Sequence, residues 1–171
     1  IVTFGILPTY AETGYGYIEV EHGIVPGLHA PVKRFVEKPD KSTAELYLAS
    51  GRFLWNGGMF VARVDTLLAA FARFAPQVHA GIANGYAQAL ADYAAMPNIS
   101  FDYAVMEHAS PVHVLPLASP WSDVGCWDSV YGVSTKDDAE NALLHADDVV
   151  LHDSRRCLVW NAGADGQRRP I

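Results

Sequence analysis

At 171 residues, half of them hydrophobic and 18% charged, the chain is long enough for one ordinary domain with a buried core and too apolar for a disordered segment. A net charge of −7, with no basic run to offset it, argues against a nucleic-acid or anionic-membrane partner, so any phosphate ligand has to be held by local Lys, Arg, backbone N–H groups or a metal. Two cysteines, Cys126 and Cys157, are too few for a disulfide scaffold and fit a reducing cytoplasm, and no apolar run approaches the ~20 residues of a transmembrane helix.

Residues 1–9 make an apolar run closed by Pro8-Thr9, the pattern of a buried strand. "ETGYGYIEVE" (12–21) opens on a glycine-rich turn and continues as a strand through Tyr17, Ile18 and Val20. Gly23, Pro26 and Gly27 mark a loop, and "VKRFVEK" (32–38) is the next strand, ended by Pro39. "KSTAELYLASG" (41–51) has a Ser/Thr cap, a Glu three residues after Ser42 and a terminal glycine, the start and stop signals of a short helix. "FLWNGGMFVARV" (53–64) is a strand interrupted by Asn56-Gly57-Gly58.

A helix opened by Asp65 follows, with Leu68, Phe71 and Ala72 on one face. Pro76 starts another, in which Val78, Ile82, Tyr86, Leu90 and Tyr93 recur at roughly helical spacing. "SFDYAVMEHA" (100–109) reads as a short helix, "VHVLPL" (112–117) as a strand, and "WSDVGCWDSVYGV" (121–133) as a turn and a helix. Beyond Lys136 short apolar pairs alternate with polar turns, which suggests a second, β-rich unit. The domains are therefore expected at 1–135 and 136–171. Strands alternating with helices give an α/β sheet with ligands at strand ends. The running strand at Ile1 and the patternless "GADGQRRPI" give the expectation of a piece of a longer protein.

Four loops carry residues with two available jobs. Gly14-Tyr15-Gly16 is either an ordinary turn or a place where the backbone approaches a ligand closely, since no Cβ stands in the way. Glu37-Lys38 is either an exposed strand-end pair, worth under ~1 kcal/mol, or a carboxylate for vicinal hydroxyls beside an ammonium for phosphate oxygens. Asn56, before two glycines in an apolar strand, marks a β-bulge or offers an amide to a polyol. Asp123, beside Val124-Gly125, caps the helix that follows or binds a hard cation such as Mg²⁺. No HExxH, CxxC or nucleophile elbow occurs.

In this order and spacing, "TFGILPTYAETGYGYIE", "FVEKPD", "WNGGMFV" and "WSDVGCWDSVY" resemble the mannose-1-phosphate guanylyltransferase (GDP-mannose pyrophosphorylase) family, over about residues 1–135 and more loosely to about 160. The resemblance implies a mixed-sheet α/β nucleotide-diphospho-sugar transferase fold (Rossmann-like, GT-A-like), truncated on its N-terminal side, with the start of a left-handed β-helix at the C-terminus. A sheet lacking its central strands is expected to expose its edges. It also implies GTP and mannose 1-phosphate as substrates, Mg²⁺ as cofactor, and a homo-oligomer as one possible state. Gly14, Tyr15 and Gly16 would line the sugar, Glu37 would hold its hydroxyls, Asn56 would hydrogen-bond it, Lys38 would meet the sugar phosphate, and Asp123 would ligate the metal. Three departures from the family pattern are mild: Tyr10-Ala11 stands for Arg-Pro, Gly57 for Ser or Ala, and Cys126 for Ser or Thr. The family's glycine-rich nucleotide-binding half does not occur in the chain, so it is expected not to turn over alone. The alternatives are a related sugar-1-phosphate nucleotidyltransferase, or a silent sugar-nucleotide-binding homologue that regulates a partner.

Overall fold

The computed structural model describes residues 1–145 and 149–161. It divides into two compact units, Ile1–Ser119 and Pro120–Ile171.

The first unit is built on five strands, β1 (Val2–Ile6), β2 (Tyr17–Val20), β3 (Ala30–Val36), β4 (Phe53–Val61) and β5 (His113–Leu117). They close into a barrel in the order β1-β4-β2-β3-β5; β1 and β5 run parallel and the other pairs antiparallel. Exposed sheet edges are therefore not found in this unit: the start of β3 bends over to pair Ala30 with Val114 and Pro31 with His113, closing the ring. By the two-residue period of a strand, Ile18 and Val20 turn inward with Phe35, Leu54 and Val114, and Met106 and Val112 complete that core. Tyr17 and Glu19 turn outward yet stay buried, because helix α1 (Lys41–Ser50) lays Tyr47 over Phe53, with ring centroids 3.8 Å apart, and Tyr17 joins them at 5.3 Å.

Several expected elements shift in detail. The cap of α1 is Asp40, not Ser42; its carboxylate accepts from the Thr43 N–H at 2.8 Å and the Ser42 hydroxyl at 2.9 Å, and Gly51 ends the helix at φ +63°. The next helix, α2 (Val64–Phe74), starts one residue before Asp65. Its inward side carries Ala70, Phe71 and Phe74, whereas Leu68 and Ala72 face solvent. The long helix expected from Pro76 is two short ones, α3 (Pro76–Ile82) and α4 (Tyr86–Asp92), separated at Gly85 with φ +89°. The aromatic and aliphatic repeat that suggested one helix is exposed there, at Tyr86, Leu90 and Tyr93. The break in "WNGGMF" is a bulge in a continuous β4, where the pairing with β1 slips between Thr3 and Gly5. The segment around Ala104 is a π-helix, Asp102–Met106, anchored by Ala104, Val105 and Met106 in the core.

In the second unit, α5 (Trp127–Val133) is followed by β6 (Ala142–Leu144) and β7 (Leu158–Trp160), which pair in parallel. Buried Asn141 ties this unit together: its amide donates to Asp137 and to the Ser154 carbonyl and accepts from the Cys157 N–H, each at 3.1 Å. The "GADGQRRPI" stretch lies outside the described residues.

Candidate functional site

The ladder of β3 ends at Val36, and each residue of the following "EKPD" has a separate task. Lys38 holds φ +45°, a conformation that costs a non-glycine residue roughly 1–3 kcal/mol and concentrates at functional sites. Pro39 then separates this turn from the Asp40 cap of α1. The turn leaves the two side chains in contact but unequally exposed. The Glu37 side chain is only 7% exposed and that of Lys38 58%. Of the two alternatives for this pair, the wholly exposed one is not what forms; a buried carboxylate is bonded to one ammonium at the surface. Hydrogen bonding to Glu37 raises the Lys38 pKa, so the lysine is charged at neutral pH.

Gly16 lies against Glu37. A Cβ at this position would come 2.6 Å from Glu37 Oε2 and 3.3 Å from Asn56 Cβ, so the bare backbone is what lets the entry of β2, the end of β3 and the bulge of β4 meet. The Gly16 carbonyl accepts from the Asn56 backbone N–H at 2.8 Å. The Asn56 side-chain oxygen accepts from the Gly58 N–H at 3.1 Å and lies 3.5 Å from the Thr3 hydroxyl. Its Nδ2 donates to Asp102 Oδ1 at 3.1 Å. The bulge and the polyol-facing amide were alternatives for this stretch; the bulge forms, and it is what turns Asn56 toward this cluster.

Asp102 was missed from sequence, where it passed as one residue of a short helix. The available signal was an acidic residue opening "YAVM", an apolar run that must go inward. The carboxyl sits above the ordinary aspartate range, first because of burial and then because of repulsion from Glu37; donation from Asn56 and the charge of Lys38 work against the rise. The corner thus holds two carboxylates, one ammonium and one carboxamide around a glycine.

The other expected residues are arranged differently. Gly14 is exposed, with the Glu12 carboxylate accepting its N–H at 2.8 Å and that of Thr13 at 2.9 Å. Tyr15 packs edge-on against Trp55, ring centroids 5.3 Å apart. Trp55 is buried beside the Tyr17 hydroxyl, outside hydrogen-bond geometry. Asp123 belongs to the second unit. It does not cap α5, whose cap position is Cys126 with no side-chain cap bond. Its Oδ1 instead accepts from the Gly125 N–H at 3.1 Å, across a Val124 held at φ +53°. For a β-branched residue that φ is an outlier. Among the described residues no three His, Cys, Asp or Glu side chains gather as a complete metal cage. The Asp123 carboxylate, on a turn strained at Val124, is of the kind that a hard divalent cation takes when water and substrate phosphates fill the rest of its shell.

The nucleotidyl transferase family model matches residues 1–140. A mannose-1-phosphate guanylyltransferase of Klebsiella pneumoniae is 40% identical over 171 residues, 93% of this chain and 36% of its own length. The xanthan biosynthesis protein XanB of Xanthomonas campestris pv. campestris is 40% identical over 95% of this chain and 36% of its own. Among solved structures, a protein of Thermus thermophilus described as a mannose-1-phosphate geranyltransferase superposes with a TM-score of 0.79 at 36% identity, covering 93% of this chain and 47% of that one. The chain therefore spans about a third of the length of the curated relatives it matches.

Proposed function

The chain belongs to the nucleotidyl transferase family, and on that premise we propose that it carries the sugar-phosphate side of a mannose-1-phosphate guanylyltransferase, which joins GTP and mannose 1-phosphate into GDP-mannose and pyrophosphate. The observation that carries this reading is the meeting of the Glu37 carboxylate and the Asn56 amide over Gly16, a cradle that a single methyl group would fill. Identity to named guanylyltransferases supports the choice of substrates.

In the proposed reaction a phosphate oxygen of mannose 1-phosphate attacks the α-phosphorus of GTP, and the bond to pyrophosphate breaks. The nucleophile is already an oxyanion, so no general base is required; in-line positioning and charge neutralisation are. Glu37 accepts from sugar hydroxyls, Asn56 hydrogen-bonds the sugar, and the backbone of Gly14, Tyr15 and Gly16 lines it. Lys38 supplies a permanent positive charge toward the sugar phosphate. Enzymes of this family generally use a divalent metal ion. Here Asp123 would hold Mg²⁺, which supplies charge neutralisation at the reacting phosphates.

The fold is the α/β fold of nucleotide-sugar transferases. We read residues 1–135 as the C-terminal half of the catalytic domain and 136–171 as linker and the first turn of a left-handed β-helix; the parallel β6–β7 pair supports that. Residues that read guanine would then lie outside this chain. Among the described residues no helix is long and apolar enough to cross a membrane. A cytoplasmic setting and the absence of nucleic-acid or membrane partners complete the proposal, with a homo-oligomer as one of the states it admits.

The test is pyrophosphate release by the full translated reading frame that carries this chain, with GTP, ATP, UTP and dTTP crossed against mannose and glucose 1-phosphates in Mg²⁺. GTP with mannose 1-phosphate is expected to lead, and Asp123→Asn to lower that rate by about 10²–10³. Synthesis of GDP-mannose by the 171 residues alone would refute the assignment of half a site.

A further inference from the structure

Building on that reading of the pocket, we infer that Asp102 is a positioning residue of the sugar site: its carboxylate fixes the orientation of the Asn56 amide and thereby sets how the site grips a polyhydroxyl ligand.

Four observations carry this. First, the polarity of the Asn56 amide is determined on both ends. Its oxygen faces the Gly58 N–H at 3.1 Å, and its nitrogen faces Asp102 Oδ1 at 3.1 Å. With Asp102 ionised, and so an acceptor only, the nitrogen cannot be exchanged for the oxygen without setting two acceptors against each other. One Nδ2 proton is thereby committed to Asp102. The second makes no hydrogen bond among the described residues, on the amide whose Cβ crowds Gly16 beside Glu37.

Second, Asp102 stands on a rigid support. Ala104, Val105 and Met106 of the same π-helix are buried, and the Glu107 N–H closes the wide turn on the Asp102 carbonyl at 3.1 Å. Third, the carboxylate is not required to hold the turn, since that bond is made by its backbone. Asn56 is the one other side chain that hydrogen-bonds its carboxylate among the described residues, beside its own backbone N–H.

Fourth, the local charge suits the role. Glu37 and Asp102 outnumber Lys38, so the corner carries a net charge of about −1 when both carboxyls are ionised. Such a corner repels phosphate and attracts hydroxyl donors. The sugar ring is accordingly expected between Glu37 and Asn56, with its phosphate toward the exposed end of Lys38. The raised pKa of Asp102 agrees with this arrangement, because the strain of two neighbouring carboxylates is relieved when ligand hydroxyls donate to them.

The experiment uses the full reading frame labelled with ¹⁵N-asparagine, where the Asn56 side-chain signals are identified by their loss in Asn56→Ala. In the wild type the two Nδ2 protons are expected to be well separated and to move as pH falls through the Asp102 titration. In Asp102→Asn, which keeps an acceptor, the separation should persist while that pH response disappears; any response left reports Glu37, the other carboxylate facing this corner, with Lys38 remaining charged. In Asp102→Ala the pair should collapse toward an exposed asparagine. Asn56 signals indifferent to both substitutions would overturn the inference.

The kinetic arm is read on whichever sugar 1-phosphate the wild type turns over. Asp102→Ala should raise its KM about tenfold with kcat within about threefold, and Asp102→Asn should recover much of the loss, as expected for lost uniform binding. A fall in kcat at unchanged KM would contradict a positioning role. If the wild type turns over no sugar 1-phosphate, the proposed function fails, and the Asn56 signals alone decide on Asp102.

Discussion

Two glutamates at neighbouring places on the barrel are almost equally buried and have opposite surroundings. The Glu19 side chain on β2 is 6% exposed, and three cations converge on it: Lys33 and Arg34 at 3.2 Å and Arg52 at 3.9 Å. Arg34 also lies over the rings of Tyr47 and Phe53, so the cluster is part of the packing of α1 on the sheet. The Glu37 side chain is 7% exposed and has one lysine, a second carboxylate nearby, a strained backbone beside it and a glycine against it. Burial alone therefore says little about role. A carboxylate with cations in excess is saturated and holds the fold. A carboxylate with carboxylates in excess retains acceptor capacity, and the structure keeps it at a cost in stability that a ligand can offset.

The sharpest way to break this distinction is to add one methyl group at each of two glycines. In Gly16→Ala the Cβ would sit 2.6 Å from Glu37 Oε2, a side-chain end that can swing away, and 3.3 Å from Asn56 Cβ. The fold should survive with a loss of about 1 kcal/mol, while kcat/KM falls by roughly a hundredfold or more because Glu37 is driven off its position. In Gly5→Ala the Cβ would meet Leu54 Cδ1 at 2.7 Å and Val114 Cγ2 at 2.8 Å, inside the packed barrel. That variant should lose about 1–3 kcal/mol in denaturant melts with the folded fraction fully active. The two glycines exchanging effects would dissolve the distinction.

Next in size are the charge-neutral variants of the two acids. Glu37→Gln replaces an acceptor with a group that donates on one side, and KM for the sugar phosphate should rise about 10–100-fold with little change in Tm. Glu19→Gln should do the reverse, costing roughly 1–2 kcal/mol, since its three cations are half exposed and regain water, with KM unmoved. Steady-state kinetics and thermal melts on the same preparations decide it.

How far the sequence could reach follows the same division. The strands were legible because their apolar runs and turn residues agree with the barrel, whereas Glu37, Lys38 and Asn56 stood out as candidates by charge and amide at strand ends, each beside an ordinary structural reading, and took their roles from the family resemblance. Closure of the barrel was not legible: it depends on two residue pairs between β3 and β5, distant in sequence and without a local signal. The face of α2 was misphased because its alanines are apolar on every side, and only the position of Phe101 and the π-helix decides that Ala70 rather than Ala72 goes inward. Glu19 and Asp102 were both missed for one reason. Each is a single acid inside an apolar run, and what makes it structural or functional is the charge brought to it by other strands.

The smallest effect separates stability from binding at Asp102 itself. Its carboxyl is held above the unfolded range, so the folded state binds the proton more tightly than the unfolded chain does. Stability from this group is therefore complete below the unfolded aspartate pKa and is lost as pH rises through the raised folded value, leaving the ionised form a net burden at neutral pH. Asp102→Asn removes that burden while keeping an acceptor for Asn56, and Tm at pH 7 should rise by about 1–2 °C, with the difference from wild type vanishing at low pH. At Glu19 the matching neutralisation, Glu19→Gln, should lower Tm under the same conditions. A drop in Tm for Asp102→Asn at neutral pH would mean that this carboxylate holds the fold as Glu19 does, and the distinction between the two clusters would fail at its weakest member.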